Sequence, residues 1–161
     1  MEYGRWLLRK SPSGFDGRKR GIQIQHIGRS RGGLTTKIHA LVDSLGNPVH
    51  VHLTGGNAHD VTQAMILIDK ADADAFLGDK GYDANHVIEA IEAKGMVAVI
   101  PSTANRNQKR LIDKHIYKAR HLVENFFCKI KRYRRVATRY EKNSENFLGF
   151  VLFAAIRVWL A

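Results

Sequence analysis

Residues 116–133, IYKARHLVENFFCKIKRY, are the most informative stretch of this chain, because their apolar residues repeat with the period of an amphipathic helix. At about 100° per residue from Tyr117, Arg120 falls at about 300°, Glu124 at about 340° and Lys131 at about 320°. One carboxylate and two cations therefore share a narrow stripe beside the apolar face. The stripe suits a metal ligand next to a phosphate backbone. It suits a surface salt-bridge ladder equally well, since Arg120 and Glu124 are an i,i+4 pair.

A second motif lies in residues 76–83, FLGDKGYD. A short apolar run ends at Asp79, and the residues from Ala84 to Lys94 have a helical pattern. An aspartate just past the carboxyl end of a strand in an α/β sheet lies where such folds bind ligands. Asp83, one residue before the helix, fits the role of a helix cap better than Asp79 does. Asp79 is therefore the candidate functional residue.

Together these motifs resemble those of bacterial DDE-type insertion-sequence transposases whose catalytic glutamate lies in a Tyr-x2-Arg-x3-Glu-x6-Lys signature. All four signature positions match, and the Asp-x-Gly-Tyr motif matches at Asp79, Gly81 and Tyr82. Residues 27–43, IGRSRGGLTTKIHALVD, and 55–60, GGNAHD, are also typical of these enzymes. The resemblance covers about residues 27–161.

The resemblance implies a ribonuclease-H-like mixed sheet with flanking helices. It also implies DNA transposition by metal-dependent phosphodiester cleavage and strand transfer, with Mg²⁺ as the cofactor and Mn²⁺ as the alternative. Asp79 and Glu124 would be catalytic residues and metal ligands, since hard divalent cations take oxygen ligands. Arg120 and Lys131 would hold DNA phosphates, and Tyr117 would bind a phosphate or support a ligand.

One departure from the family pattern concerns its first catalytic aspartate, which lies on a strand upstream of the Gly-Arg-Ser-Arg-Gly-Gly region. Residues 1–25 contain one aspartate, Asp16, and glycines surround it. We therefore expect residues 1–26 to be an irregular basic segment, and residues 27–161 to be a partial catalytic domain whose first strand is missing or non-standard. The chain resembles the carboxyl-terminal part of a transposase, and we expect it to be inactive alone.

The charge distribution favours a polyanionic partner. The net charge is +11, and residues 102–142 carry thirteen Lys and Arg against three acidic residues. Residues 1–37 are also basic, whereas residues 38–101 are acidic. This asymmetry predicts binding to DNA, with Lys131, Arg132, Arg134 and Arg135 as candidate contacts beside the signature residues. A homo-oligomer and a transposase segment from an upstream reading frame are further candidate partners.

Other features exclude several classes of protein. A single cysteine, Cys128, excludes an internal disulfide and a cysteine-based zinc site. No run approaches the ~20 apolar residues of a membrane span, so we expect a bacterial cytoplasmic, nucleoid-associated protein. His50, His52 and His59 could form a zinc site with Asp60, but ordinary polar positions on a strand and a turn explain them more simply. Asp60 also fits the cap of the helix that follows it.

Three hypotheses remain. The chain is part of a DDE transposase that needs the first aspartate from an upstream segment, or a catalytically inactive DNA-binding remnant. The third is a nuclease that acts alone, with Asp16, Asp43 or another acid in the missing position. The nucleotide sequence upstream of Met1 would discriminate between the first two, because frameshifting requires an overlapping frame that encodes a strand-borne aspartate.

Overall fold

The computed structural model describes residues 2–10, 25–30 and 33–160 of the chain. The strands are β1 (Glu2–Lys10), β2 (Gly28–Ser30), β3 (Gly33–Val42), β4 (Pro48–Gly55), β5 (Ala75–Gly78) and β6 (Val97–Val99). The helices are α1 (Ala64–Lys70), α2 (Asn85–Ala93), α3 (Lys114–Lys118), α4 (His121–Ile130), α5 (Arg134–Ala137) and α6 (Ser144–Trp159). Short 3₁₀ turns at Asp60–Gln63 and Lys80–Tyr82 precede α1 and α2. The chain is a mixed α/β structure, as predicted.

The described strands form one mixed sheet. Its order is β2-β3-β1-β5-β6, and β4 also pairs with β3. Strand β1 is antiparallel to β3 and parallel to β5, and β5 is parallel to β6. The carboxyl ends of β1, β5 and β6 therefore point the same way, and the residue that follows β5 is Asp79.

Strand β1 corrects one expectation. Residues 2–10 were expected to be irregular, and the first strand missing or non-standard, yet β1 lies in the middle of the sheet between β3 and β5. The sequence of β1 has no clear alternation of apolar and polar residues, so its position depends on pairing with β3 and β5. Residues 11–24, with Asp16, lie outside the described part of the chain.

Helices cover both faces of the sheet and form two apolar cores. Ile38, Val51 and Leu77 pack with buried residues of α4 and α6 in one core. Leu41 and Phe76 pack with α1 and α2 in the other. Because β3 lies between β1 and β4 and is covered on both faces, every residue from Thr35 to Val42 is buried, including Lys37 and His39.

A close backbone approach explains the glycines that precede α1. The Gly56 amide donates to the Thr35 carbonyl over 2.9 Å. A Cβ atom on Gly56 would overlap the Thr35 hydroxyl, and one on Gly28 would overlap the Asn57 side chain. Residues 28–30 and 55–57 therefore match the transposase pattern at a point where backbones pack directly against each other.

The signature region is not one continuous helix. Helix α3 ends at Lys118 and α4 begins at His121, with i→i+3 hydrogen bonds from the Ala119 and Arg120 amides between them. Such 3₁₀ bonds change the angular spacing of the residues on either side. Strand β5 agrees with the strand predicted before Asp79. Among the described residues, no helix is long and apolar enough to cross a bilayer.

Candidate active site

Asp79 is held at the carboxyl end of β5. All four residues of β5 are buried, and Asp79 begins the 3₁₀ turn that follows. Its side chain accepts a hydrogen bond from the Lys80 amide over 2.6 Å. This contact caps the turn and fixes the carboxylate at the rim of the sheet, where only part of the residue is exposed.

Glu124 lies at the edge of the buried face of α4. Val123, Phe126, Phe127 and Ile130 anchor that helix in the core. The Glu124 Oε1 atom accepts from Arg120 Nη2 over 2.7 Å, and the Arg120 guanidinium lies 5.6 Å from the centre of the Tyr117 ring. The Arg120–Glu124 part of the predicted stripe is therefore present as an ion pair, despite the break between α3 and α4.

Tyr117 is electrostatically coupled to both Glu124 and Asp79. Burial raises the pKa of Tyr117, the nearby Arg120 charge opposes this, and the Asp79 and Glu124 carboxylates raise the pKa further. One hydroxyl thus lies within electrostatic range of both candidate carboxylates, which come from separate elements. Two of the sequence-predicted carboxylates therefore influence the same tyrosine, which is itself a predicted site residue.

The remaining predicted DNA contacts have different environments. Lys131 ends α4, about two turns beyond Glu124, and both Lys131 and Arg132 are exposed. Arg134 Nε donates to the Tyr140 hydroxyl over 3.2 Å. Arg135 forms a 2.7 Å ion pair with Glu141 and lies over the Phe150 ring. Lys131 and Arg132 are therefore better placed to meet a polyanion than Arg135.

Sequence reasoning missed an ion pair near Asp79. The Lys37 Nζ atom donates to Asp60 Oδ1 over 2.8 Å and to the Ala58 carbonyl over 2.6 Å. Burial raises the pKa of Asp60, Lys37 opposes this, and the Asp79 charge raises it further. The sequence favoured a helix cap at Asp60, but the structure pairs it with Lys37. A lysine inside an otherwise apolar strand was the signal that could have revealed this pair.

Tyr82, in the Asp-x-Gly-Tyr motif, faces the same carboxylates. Its hydroxyl is buried and has no hydrogen-bond partner among the described residues. Burial raises the pKa of Tyr82, and the Asp60 and Asp79 charges add to that effect. Asp60, Asp79 and Tyr82 therefore share one electrostatic neighbourhood beneath the rim of the sheet.

The position beside Asp79 on the neighbouring strand is occupied by a basic residue. Gly4 of β1 pairs with Gly78, so the next residues along these parallel strands are Arg5 and Asp79. The acidic residue of β1, Glu2, pairs with Phe76, three residues before Asp79. Asp43 accepts hydrogen bonds from the Leu45 and Asn47 amides in the β3–β4 turn. That turn adjoins the start of β1, so Asp43 is badly placed to complete the site.

The carboxylates of Asp79 and Glu124 are the type of ligand that a hard divalent cation prefers, but two carboxylates are too few for a complete site. In-line phosphoryl transfer with two metals uses several carboxylates. Among the described residues, no group of three His, Cys, Asp or Glu is close enough to hold a metal ion.

The zinc alternative also lacks support among those residues. His50, His52, His59 and Asp60 do not gather into a group that could hold a metal ion. The His52 Nε2 atom lies 3.3 Å from the Gln63 side-chain oxygen, and Asp60 pairs with Lys37.

Comparison with known proteins identifies the family. A model of the transposase DDE domain matches residues 9–159. The chain belongs to the transposase DDE domain family. It is 38% identical over 132 residues to a protein of Brucella ovis whose name describes it as a transposase for insertion sequence element IS6501, covering 79% of this chain and 99% of that protein. It is 29% identical over 128 residues to a Burkholderia cepacia protein named for IS402, covering 72% of this chain and 58% of that protein.

Membership in this family indicates the substrate and the type of cofactor that the site would use. Transposition is the function of this family, which implies that the transposase domain acts on DNA. Domains of this family generally use divalent metal ions. The neighbourhood of Asp79, Tyr117 and Glu124 is where the structure offers carboxylates for that chemistry.

Proposed function

We propose that this transposase domain contributes Asp79 and Glu124 to a Mg²⁺-dependent centre for phosphodiester cleavage and strand transfer, with Mn²⁺ as the alternative ion. Divalent ions at such a centre activate the attacking oxygen and stabilise the leaving oxygen. Asp79 and Glu124 would supply two of three carboxylates. Arg120 would orient Glu124 and offset negative charge on a bound phosphate.

The observation that carries the proposal is the placement of Tyr117. Its hydroxyl lies within electrostatic range of both Asp79 and Glu124, which are forty-five residues apart in the sequence. A salt-bridge ladder on a helix surface would explain Arg120 and Glu124, but it would not explain the electrostatic coupling of Tyr117 to Asp79.

The order of the elements supports a ribonuclease-H-like fold for residues 27–161 together with β1. Strands β1, β3 and β4 are followed by α1, β5, α2, β6 and the helices α3 and α4. With β1 included, this is the β-β-β-α-β-α-β-α series that the resemblance implies. In this arrangement the missing carboxylate belongs on β1, beside Asp79.

The proposal can be tested by introducing the missing carboxylate on β1. Because Arg5 follows the Gly4–Gly78 pair, Arg5→Asp should place an acid beside Asp79 and create binding of Mn²⁺ that calorimetry detects and the parent chain lacks. The matched control is Arg9→Asp, the same change on the same strand but four residues further from the pair. Adding Asp79→Asn or Glu124→Gln to Arg5→Asp should abolish the gained binding.

Two results would contradict the proposal. Equal Mn²⁺ binding by the Arg5→Asp and Arg9→Asp variants would mean that the ion does not use Asp79. Mg²⁺-dependent DNA cleavage by the unmodified chain would mean that no third carboxylate is needed.

The second candidate function is a catalytically inactive DNA-binding remnant, and Arg5 beside Asp79 favours it. The register thus puts no acidic residue of β1 next to Asp79. Joining the chain to an upstream segment with a strand-borne aspartate separates the two candidates. Cleavage by the joined protein supports the transposase part, and DNA binding without cleavage supports the remnant.

The proposed DNA surface consists of Tyr117, Arg120, Lys131 and Arg132, with smaller contributions from Arg134 and Arg135. Cations on a helix flank suit phosphate contacts that carry no sequence preference. A homo-oligomer on DNA, and a location with the bacterial nucleoid in the cytoplasm, belong to the same proposal.

A further inference from the structure

A groove of about 420 Å³ lies beside Asp79. Asp79, Lys80 and Gly81 line one wall, and Thr103, Ala104 and Asn105 line the other. The second wall belongs to residues 102–110, which we call the 102–110 loop. It follows β6 and has no helix or strand.

Asp83 holds the loop in place. Its side chain is fully buried and accepts from the Thr103 amide over 2.7 Å and from Arg106 Nη1 over 2.6 Å. Arg110 Nη1 donates to the same carboxylate. The prediction that Asp83 caps α2 is therefore wrong, because the cap residue is Ala84 and no side chain caps that helix.

Further hydrogen bonds complete this attachment. Arg106 and Arg110 both donate to Asn85 Oδ1, and the Arg110 amide donates to the Ser102 hydroxyl over 2.8 Å. Burial alone would raise the pKa of Asp83, but the Thr103 amide and the two guanidiniums lower it. The outer residues of the loop are polar and exposed: Asn105, Asn107, Gln108 and Lys109. Charged hydrogen bonds, rather than apolar packing, therefore fix these residues.

We propose that the groove seats the DNA strand next to the phosphate at Asp79, and that Asp83 is a positioning residue that holds the second wall. The inference rests on the proposed function and adds its strand-binding subsite. Thr103 and Asn105 offer uncharged hydrogen-bonding groups in one wall, Lys80 brings a positive charge to the other wall, and Lys109 is an exposed cation of the same loop. Cations and uncharged donors of this kind suit contacts to the phosphate backbone, which do not depend on base sequence. The volume lies in the range of sites that bind small molecules, and a nucleotide is of that size.

A matched pair of loop variants tests the groove. Asn105→Asp puts a negative charge inside it, whereas Asn107→Asp puts the same charge two residues away, outside the residues that line it. Asn105→Asp should weaken binding to a fluorescent duplex by about tenfold, and Asn107→Asp by less than about threefold, because charge repulsion falls with distance. Both residues are exposed, so neither change should unfold the chain.

A second pair of variants tests Asp83 by whether DNA binding becomes weaker or tighter. Asp83→Asn and Asp69→Asn raise the net charge equally, and Asp69 is an exposed residue on α1 whose described ion pair is with Lys70. Asp69→Asn should leave DNA binding unchanged or slightly tighter. Asp83→Asn should weaken it about fivefold or more despite the added positive charge, because the loop loses its anchor. DNA should slow hydrogen exchange of the 102–110 amides in the parent chain but not in Asp83→Asn.

The outcomes distinguish this inference from the proposed function. Equal effects of Asn105→Asp and Asn107→Asp on DNA affinity would overturn the proposal that the groove binds DNA. Equal DNA affinities of Asp83→Asn and Asp69→Asn would overturn the role of Asp83. If the Asp83→Asn variant does not fold, the comparison of Asn105→Asp with Asn107→Asp alone decides whether the groove binds DNA. Failure of the parent chain to bind DNA would overturn the proposed function and the groove together.

Discussion

The guanidinium of Arg139 lies fully buried and donates from Nη1 to the Thr36 hydroxyl over 2.5 Å. Its other donors reach the carbonyls of Gln25, Glu141 and Lys142. Burial lowers the pKa of Arg139 to about 10, with Glu141 opposing this. Arg139 ends the basic run Lys129–Arg139, which lies within the segment 102–142 that the sequence assigned to DNA, but it ties the chain after α5 to β3. Part of the basic run is therefore structural.

Arg139→Ala should lower the free energy of unfolding by about 3 kcal/mol, because four buried acceptors lose their donors. Arg132→Ala, which changes an exposed residue of the same run, should change it by less than about 0.5 kcal/mol. Denaturant titration measures both. A small loss for Arg139→Ala would mean that water replaces the guanidinium at little cost.

DNA binding should be steeply salt-dependent. Reversing the charges of Lys131, Arg132, Arg134 and Arg135 together should lower the salt slope by about one unit for each phosphate that the protein no longer neutralises. Neutralising Lys131 and Arg132 should have a larger effect per charge than neutralising Arg135, which is paired with Glu141. Fluorescence anisotropy over a salt series measures the slopes. An unchanged slope would exclude this surface.

Glu124→Gln should leave the fold almost unchanged. The Arg120–Glu124 pair is partly exposed, and pairs of this kind contribute about 0.3–0.5 kcal/mol. In a form of the protein that cleaves DNA, the same change should abolish cleavage, because it removes a ligand charge while keeping the side-chain shape. A large loss of stability in thermal unfolding would assign Glu124 a structural role instead.

Stability should fall as the pH is lowered below about 6.5, the ordinary pKa of histidine. Burial, followed by neighbouring charges, lowers the pKa of His39 to about 3 and that of His52 to about 4. Between pH 6.5 and these values the unfolded chain binds protons that the folded chain does not. Each histidine should therefore cost about 1.4 kcal/mol per pH unit in that window.

Unfolding titrations between pH 7 and about 4.5 isolate this effect from most carboxylates. His39→Gln should flatten the profile, while the same change at His86, an exposed residue of α2, should leave it unchanged. Identical profiles for the two variants would show that His39 is not the group that titrates.

Two glycines should respond in opposite ways to alanine. Gly56→Ala should destabilise the fold by about 2 kcal/mol, because the added methyl group overlaps Thr35 on β3. Gly149→Ala should stabilise it by about 0.5–1 kcal/mol, since Gly149 is exposed in α6 and nothing lies near its Cβ position. Thermal unfolding compares the two. A neutral Gly56→Ala would contradict the close approach of the two segments.

The sequence by itself determined the features that depend on local spacing. Arg120 and Glu124 are one helical turn apart, so their pairing follows from the i,i+4 rule whatever the rest of the fold does. Asp79 follows an apolar run, which placed it at a strand end. These positions, with the basic segments, were sufficient to indicate the family.

Only the tertiary structure decided which distant groups meet. Lys37 pairs with Asp60 across twenty-three residues, Asp83 reaches Arg110 across twenty-seven, and Arg139 reaches Thr36 across 103. The position of β1 was likewise decided by the tertiary structure, because it depends on pairing with β3 and β5. A buried polar group must find a partner, but its own neighbours in the sequence do not specify which one. That choice follows from the chain path, which is why the local pattern predicts helix caps at Asp60 and Asp83 and a DNA contact at Arg139.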